Sequence, residues 1–426
     1  MPEIKNIQWI DPLKMAESVN KNHEKWVFLY SGLDVEYSGK YSILAFNFNR
    51  EIKSNDFDHI SGELTNNKGK FENSWFGYLG YGLKNALENL TKDAASYIDM
   101  PKLWMMQFST IIVFDHNNKS IQVWGDCDIP DIDLSENKYD FQVDSLSSNM
   151  SKEQYLDRVS MVKEAISRGD LCQANLTRKF FGKFDKKPDG YGIFLKLVAA
   201  SPAPYSAFLK MDDYSIISSS PERFINITED GYANTMPIKG SAGRGKNQAE
   251  DQIIKDELLN SQKDRAENLM IVDLSRNDLA RGCEIGSVKV DGLFQIHSYS
   301  TIHHMISSVC AQKRKDVSSL DLVKYCFPPG SMTGTPKIRA MQLCSELENY
   351  DRGIYSGAIG YFAGDGSVDL SVVIRTLILQ GNKFEFQVGG AVVSDSTPLG
   401  EWQETLVKAR GILKALEVDE QSLADL

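Results

Sequence analysis

No stretch of the chain approaches the ~18 consecutive apolar residues needed to cross a bilayer, and the N-terminus, Met1-Pro2-Glu3-Ile4-Lys5, has no basic-then-apolar leader. A cytoplasmic protein is expected. Basic charge is scarce: 47 Lys and Arg stand against 58 Asp and Glu, a formal charge of -11. A protein that grips nucleic acid through its phosphates is therefore disfavoured, and any anionic ligand has to be met by locally placed cations. The six cysteines are scattered, with no C-x-x-C pair and no histidine at zinc-ligand spacing, so they are expected to be reduced and buried. No period of 20 to 50 residues recurs and no low-complexity tract appears, which disfavours solenoids and propellers. What is present, 42% hydrophobic and 25% charged residues over 426 positions, suits one or two compact units with a large core.

Short β-branched and aromatic runs, Trp26 to Tyr30, Tyr41 to Phe46 and Thr110 to Phe114, read as strands. The polar, acidic stretch from Asp126 to Ser151 reads as a connection. Ser151 and Gln154 form a capping-box start for a helix through Arg168, stopped by Gly169-Asp170. Beyond it, Tyr205–Met211 and Tyr214–Ser219 flank Asp212-Asp213, and strands over 356–363, 367–379 and 383–388 are joined by Gly364-Asp365-Gly366 and Gln380-Gly381-Asn382. Hairpins of this kind favour antiparallel sheets in an α+β architecture. Two long helices are expected, over 250–280 and 399–417; on the second, Trp402, Leu406, Ala409, Leu413 and Leu416 form one apolar face.

Glu401, Glu404 and Lys408 share one side of the last helix, and Asp264 and Glu267 stand three apart on the earlier one. Facing each other they would make a hard oxygen site suited to Mg²⁺; by spacing alone a solvated helix face is the simpler reading. Lys239, between Ile238 and Gly240, would be a nucleophile if shielded from water, although spacing alone fits a surface hairpin lysine better. The run Gly330 to Lys337 resembles a phosphate cradle but fails the Walker pattern, and a loop leading into a helix from Lys337 to Leu347 fits better. His303 and His304 read as hydrogen-bonded core residues. The segment Gly77 to Leu83 lacks dinucleotide-binding spacing and reads as a glycine and aromatic strand.

Taken in order, several of these segments resemble the chorismate-utilising enzyme family, from about Ser31 to Ile412. The matching runs begin at Gly169, Ser218, Pro237, Asp264, His304, Gly330, Tyr355, Ile374, Gly389 and Glu404. The resemblance implies two antiparallel sheets packed face to face with outer helices, an N-terminal region over 1–145 packed on a chorismate-binding catalytic region over 150–420, and a Mg²⁺ cofactor. Residue by residue, it makes Glu267 and Glu404 the metal ligands. Arg375 and Tyr355 would grip the enolpyruvyl carboxylate with backbone N–H groups around Gly389, Gly390 and Ala391, while Gly240, Ser241 and Lys408 line the substrate site. Relatives usually carry Gly where this chain has Ala391, which narrows that approach.

Two positions bear on the reaction. The water-adding branch has a lysine base where this chain has Gln173, an amide that cannot take a proton from water. The anthranilate-forming branch typically reads Pro-Ile-Ala-Gly where this chain reads Pro237-Ile238-Lys239-Gly240, as in the branch forming 4-amino-4-deoxychorismate on the route to p-aminobenzoate and folate. The resemblance therefore implies that Lys239 attacks C2, Glu222 protonates the leaving 4-hydroxyl, and ammonia then attacks C4 and expels the lysine from C2, with His304 orienting the ring. Ammonia is expected from a separate glutamine amidotransferase subunit. Ser31, Tyr37, Ser38, Pro204, Tyr205 and Ser206 resemble a tryptophan pocket of relatives. Anthranilate synthesis, or a non-catalytic chorismate- or tryptophan-binding role, are the competing readings.

Overall fold

The computed structural model describes residues 5–33, 40–64, 69–88, 90, 95–125, 139–299, 302–419 and 421–424. Every strand pairing among them is antiparallel, and the strands form one continuous hydrogen-bonded network. Two long strands, Tyr41–Ser54 and Leu103–Asp115, carry that network into two layers. The first half of Tyr41–Ser54 pairs with Trp26–Tyr30, which leads on through Tyr205–Met211, Tyr214–Ser220, Thr376–Gln380, Lys383–Val392 and Gln173–Phe184. A register shift between Phe48 and Arg50 bends the strand. Past it, Leu103–Asp115 pairs with Trp75–Leu79, which continues through Ala358–Phe362, Val368–Val372 and Arg223–Ile227 to Tyr232–Thr235 and Ile302–Gln312.

Period-two alternation assigns each strand's side chains to a layer. Val27, Ile43, Ala45, Leu209, Ile216 and Ile378 of the first layer pack with Phe76, Tyr78 and Ile359 of the second. Their neighbours Phe28, Leu44, Phe208, Ile217 and Leu377 turn outward onto the helices Gly190–Ala200 and Pro398–Leu416. Leu79, Ala358 and Leu370 turn the other way, onto Gln262–Ala280 and Ser319–Cys326. The architecture is the expected α+β sandwich of antiparallel sheets with outer helices. Strands from residues 1–145 are hydrogen-bonded into both layers alongside strands from 150–420. No described helix is long and apolar enough to cross a membrane.

The capping box at Ser151 forms, and the helix is Lys152–Ser167. Four expectations need correction. The helix over 250–280 is two helices, Gln248–Asn260 and Gln262–Ala280, because Ser261 is extended and its hydroxyl accepts from the Asp264 N–H as the cap of the second. The strand over 367–379 is likewise two strands, one in each layer, separated by Val373, Ile374 and Arg375; its β-branched continuity hid the break. In the connection from Asp126 to Ser151, residues 126–138 lie outside the described residues and Val143–Ser148 is a strand paired with Gln173–Phe184, its polar composition reflecting an edge position. Cys172 is exposed, unlike Cys283, Cys310, Cys326 and Cys344.

Candidate active site

Two of the chain's crossings between the layers lie side by side. From Tyr214–Ser220 it passes to Arg223–Ile227 through Pro221 and Glu222; from Val368–Val372 it returns to Thr376–Gln380 through Arg375. The Ser219 N–H donates to the Arg375 carbonyl at 3.1 Å and the Val372 N–H to the Glu222 carbonyl at 3.0 Å. Arg375 takes a left-handed φ of 51°, a conformation that costs about 1 kcal/mol for a non-glycine residue. The seam thus places a carboxylic acid and a guanidinium where the sheets separate.

Lys239 reaches the seam from the strand Ile238–Gly243. That strand follows Ile302–Gln312 with a register shift between Ile238 and Ser241, so Lys239 and Gly240 bulge out of the ladder. Gly240 has φ 85°, and a Cβ there would stand 2.9 Å from the Asp264 Cβ; the glycine lets the helix Gln262–Ala280 close on the bulge. Lys239 is partly buried, not a surface hairpin lysine, and its Nζ donates to the Ser331 carbonyl at 3.4 Å. Burial first, and the Lys408 charge second, lower its pKa against the pull of Glu267, Glu222 and Glu404. Glu222 is 5% exposed, and burial raises its pKa to about 7 although the Ser331 side chain and the Ile238 N–H hydrogen-bond to it. A poised acid therefore stands beside an amine whose charge is disfavoured.

Glu267 and Glu404 face the same amine from two helices. Burial raises the pKa of Glu267, with Asp264 and Glu404 adding to the rise, while Lys408 holds Glu404 below the usual range despite its partial burial. Lys408 lies 2.6 Å from the Glu404 carboxylate and donates to the Gly389 carbonyl at 2.7 Å. A Cβ on Gly390 would stand 2.4 Å from a Glu401 carboxylate oxygen, so this glycine admits the helix Pro398–Leu416 to the strand Lys383–Val392. Ala391, one residue on, pairs with Asn175. Among the described residues no group of three or more His, Cys, Asp or Glu forms a ready-made metal cluster. Two converging carboxylates are nonetheless the donor set Mg²⁺ uses, since it fills its remaining positions with water and substrate oxygens.

Across the seam, the Ser241 hydroxyl and His304 Nδ1 lie 2.5 Å apart, and Tyr299 meets the imidazole edge-on. Burial, helped by the Arg375 charge, depresses His304 to about 3, so the ring is neutral. His303 is the fully buried, hydrogen-bonded histidine expected, held by Asp251 at 2.9 Å and Ser298 at 2.8 Å. Tyr355 is buried beside Arg352 in a separate small cavity also lined by Lys179, Glu385 and Gln387. Gln173 is fully buried, with neither amide atom hydrogen-bonded among the described residues.

Ser31, Pro204, Tyr205 and Ser206 line a cavity of about 580 Å³ between the layers, with Lys40, Arg223 and Tyr361 on its walls. Tyr37 and Ser38 lie outside the described residues. Ser331, which touches both Lys239 and Glu222, is a site residue that no motif marks. Its position eight residues after Val323, in the run Gly330 to Lys337 that does not cradle phosphate, gave no chemical signal of its own.

Residues 18–414 match the family model described as chorismate binding enzyme. Anthranilate synthase component 1 of Aquifex aeolicus (strain VF5) is 39% identical over 291 residues, 68% of this chain and 58% of that protein. Aminodeoxychorismate synthase component 1 of Escherichia coli (strain K12) is 37% identical over 354 residues, 82% of this chain and 78% of that protein. The chain thus spans little more than half the length of the Aquifex protein. Anthranilate synthase component I from Streptococcus pneumoniae TIGR4 superposes with a TM-score of 0.78 at 27% identity, covering 88% of this chain and 92% of that one. The matched family, the shared fold and the paired acid and amine at the seam agree, and the chain belongs to the chorismate-binding enzymes.

Proposed function

We propose that the protein aminates chorismate to 4-amino-4-deoxychorismate, using ammonia supplied by a glutamine amidotransferase partner. The observation that carries this reading is Lys239, a lysine with a lowered pKa beside Glu222, an acid with a raised one, both in contact with Ser331. The neutral Lys239 amine forms a bond to C2 of the ring, the double bonds shift, and the C4–O bond breaks as Glu222 gives its proton to the departing hydroxyl, which leaves as water. Ammonia then bonds to C4, the double bonds return, and the C2–N bond to Lys239 breaks. Arg375 offers a guanidinium fork to a substrate carboxylate, and neutral His304, held by Ser241, orients the ring. Glu267 and Glu404 would hold Mg²⁺, which when bound supplies positive charge to the second carboxylate of the dianion.

The second reading is anthranilate formation, since the Aquifex enzyme at 39% identity and the Escherichia coli one at 37% are about equally similar to this chain. Incubating the protein with chorismate, Mg²⁺ and an ammonium salt, and weighing the product, decides between them. Aminodeoxychorismate without pyruvate is the expected result. Anthranilate with released pyruvate overturns the proposal.

A further inference from the structure

Ser331 touches both members of the amine and acid pair, and its own place is set from beneath. We infer that Lys337, fixed by Asp278, is a positioning residue that holds the turn Gly330–Met332, so that Ser331 keeps Lys239 and Glu222 in register for reaction. The inference rests on the amination reading of the same site. Lys337 Nζ donates to the Asp278 carboxylate at 2.7 Å, to the Cys326 carbonyl at 2.9 Å and to the Pro328 carbonyl at 3.0 Å. An ammonium has three donors, and here all three are committed to the protein.

Those three acceptors belong to separate elements. Asp278 sits on the helix Gln262–Ala280, which also carries Glu267; Cys326 ends the helix Ser319–Cys326; Pro328 begins the segment that enters the turn. One cation therefore joins two helices to the turn. Three residues past Pro328, the Ser331 carbonyl accepts from Lys239 and its side chain hydrogen-bonds Glu222. The charges that chiefly perturb Lys239 are Lys408, Glu267, Glu222 and Glu404, and those on Glu222 are Lys239 and Lys408. Lys337 is in neither set; its own charged neighbour, Asp278, also meets Arg281. Its influence runs through the backbone of the turn, not through its field at the reacting groups. The helix Lys337–Glu348 begins at this lysine, so the residue that starts the helix also pins the turn before it.

Lys337→Met and Asp278→Asn, made in the full chain and assayed with chorismate, Mg²⁺ and ammonium, test this. Because a misplacement of about 1 Å costs roughly a hundredfold, kcat is expected to fall about a hundredfold while KM for chorismate stays within about threefold, the residues proposed to bind it being untouched. In the absence of substrate, the rate at which a small acylating reagent modifies Lys239, followed by peptide mass, is expected to change at least about fivefold. Should both variants unfold by circular dichroism, Ser331→Ala, which removes one hydroxyl and no charge, is expected to lower kcat about tenfold with KM unchanged. A folded variant with wild-type kcat and a wild-type rate of Lys239 acylation overturns the inference, as does a wild-type Ser331→Ala. Failure of the amination reading is seen separately, in the product of the unaltered protein, and leaves the acylation comparison standing.

Discussion

The Lys408 ammonium stands 2.6 Å from the Glu404 carboxylate, so a cation of the chain itself holds one of the three acids that act on Lys239. Both partners are 43% exposed, and such a pair contributes less than about 1 kcal/mol. A divalent ion competes for that carboxylate at little cost. Glu404→Gln is therefore expected to move the metal-free melting temperature by no more than about 2 °C. The same change is expected to raise the Mg²⁺ concentration for half-maximal chorismate turnover at least about tenfold, and Glu267→Gln to do likewise. A Mg²⁺ titration that matches the wild type would remove either residue from the metal-holding set.

Replacing the proposed nucleophile should change the outcome of the reaction as well as its rate. Lys239→Ala is expected to lower aminodeoxychorismate formation by roughly a thousandfold. Residual turnover should be diverted toward anthranilate, since the remaining groups still bind and activate the ring. Mass analysis of the products reads this directly, and undiminished aminodeoxychorismate output removes the nucleophile assignment.

Glu222 links the site to stability. Its folded pKa, about 7, lies above the ordinary value of 4.5. The protonated form is thus favoured by folding, and its contribution is fully present below pH 4.5 and lost as pH rises through 7. With 1.36 kcal/mol per pKa difference of one, the loss approaches about 3 kcal/mol by pH 8. Glu222→Gln, which cannot ionise, should escape that loss: relative to the wild type it gains stability between pH 5 and pH 8 in denaturant titrations while turnover collapses. Parallel pH–stability curves for the two proteins would show that the carboxyl ionises without cost in the fold.

The second layer is sensitive to a single methyl group. Gly360 pairs with Gly77, and a Cβ on Gly360 would stand 2.0 Å from the Asp369 carbonyl oxygen, a backbone atom that cannot swing aside. Gly360→Ala is expected to destabilise the protein by about 2 kcal/mol or more. Chemical denaturation measures it, and a wild-type midpoint would mean that the strand pair has slack.

Local patterns made much of this molecule legible. The capping box at Ser151, the hairpin around Asp212 and Asp213 and the apolar face from Trp402 to Leu416 are written in adjacent residues, and they form where they are written. Breaks driven by distant contacts were not legible. Ser261 interrupts a helical pattern without proline or glycine, and Val372, Val373 and Ile374 keep the composition of a strand while the chain leaves one layer for the other. Lys239 illustrates the limit for the site. Its spacing suits an exposed hairpin; only the bulge at Gly240 and the approach of the helix bearing Asp264 draw it inward. Ser331 and Lys337 act through a carbonyl and three hydrogen bonds, which no residue pattern records.

The bent strands Tyr41–Ser54 and Leu103–Asp115 have a consequence for dissection. Each supplies one half to either layer, and Trp26–Tyr30 sits between strands more than 150 residues apart in the chain. Expressing 150–420 alone would leave Tyr205–Met211 and Ala358–Phe362 with raw edges, open to pairing with neighbouring molecules. The two segments are expected to be recovered as a working unit only when they are produced together, as complementing fragments and not as independent modules.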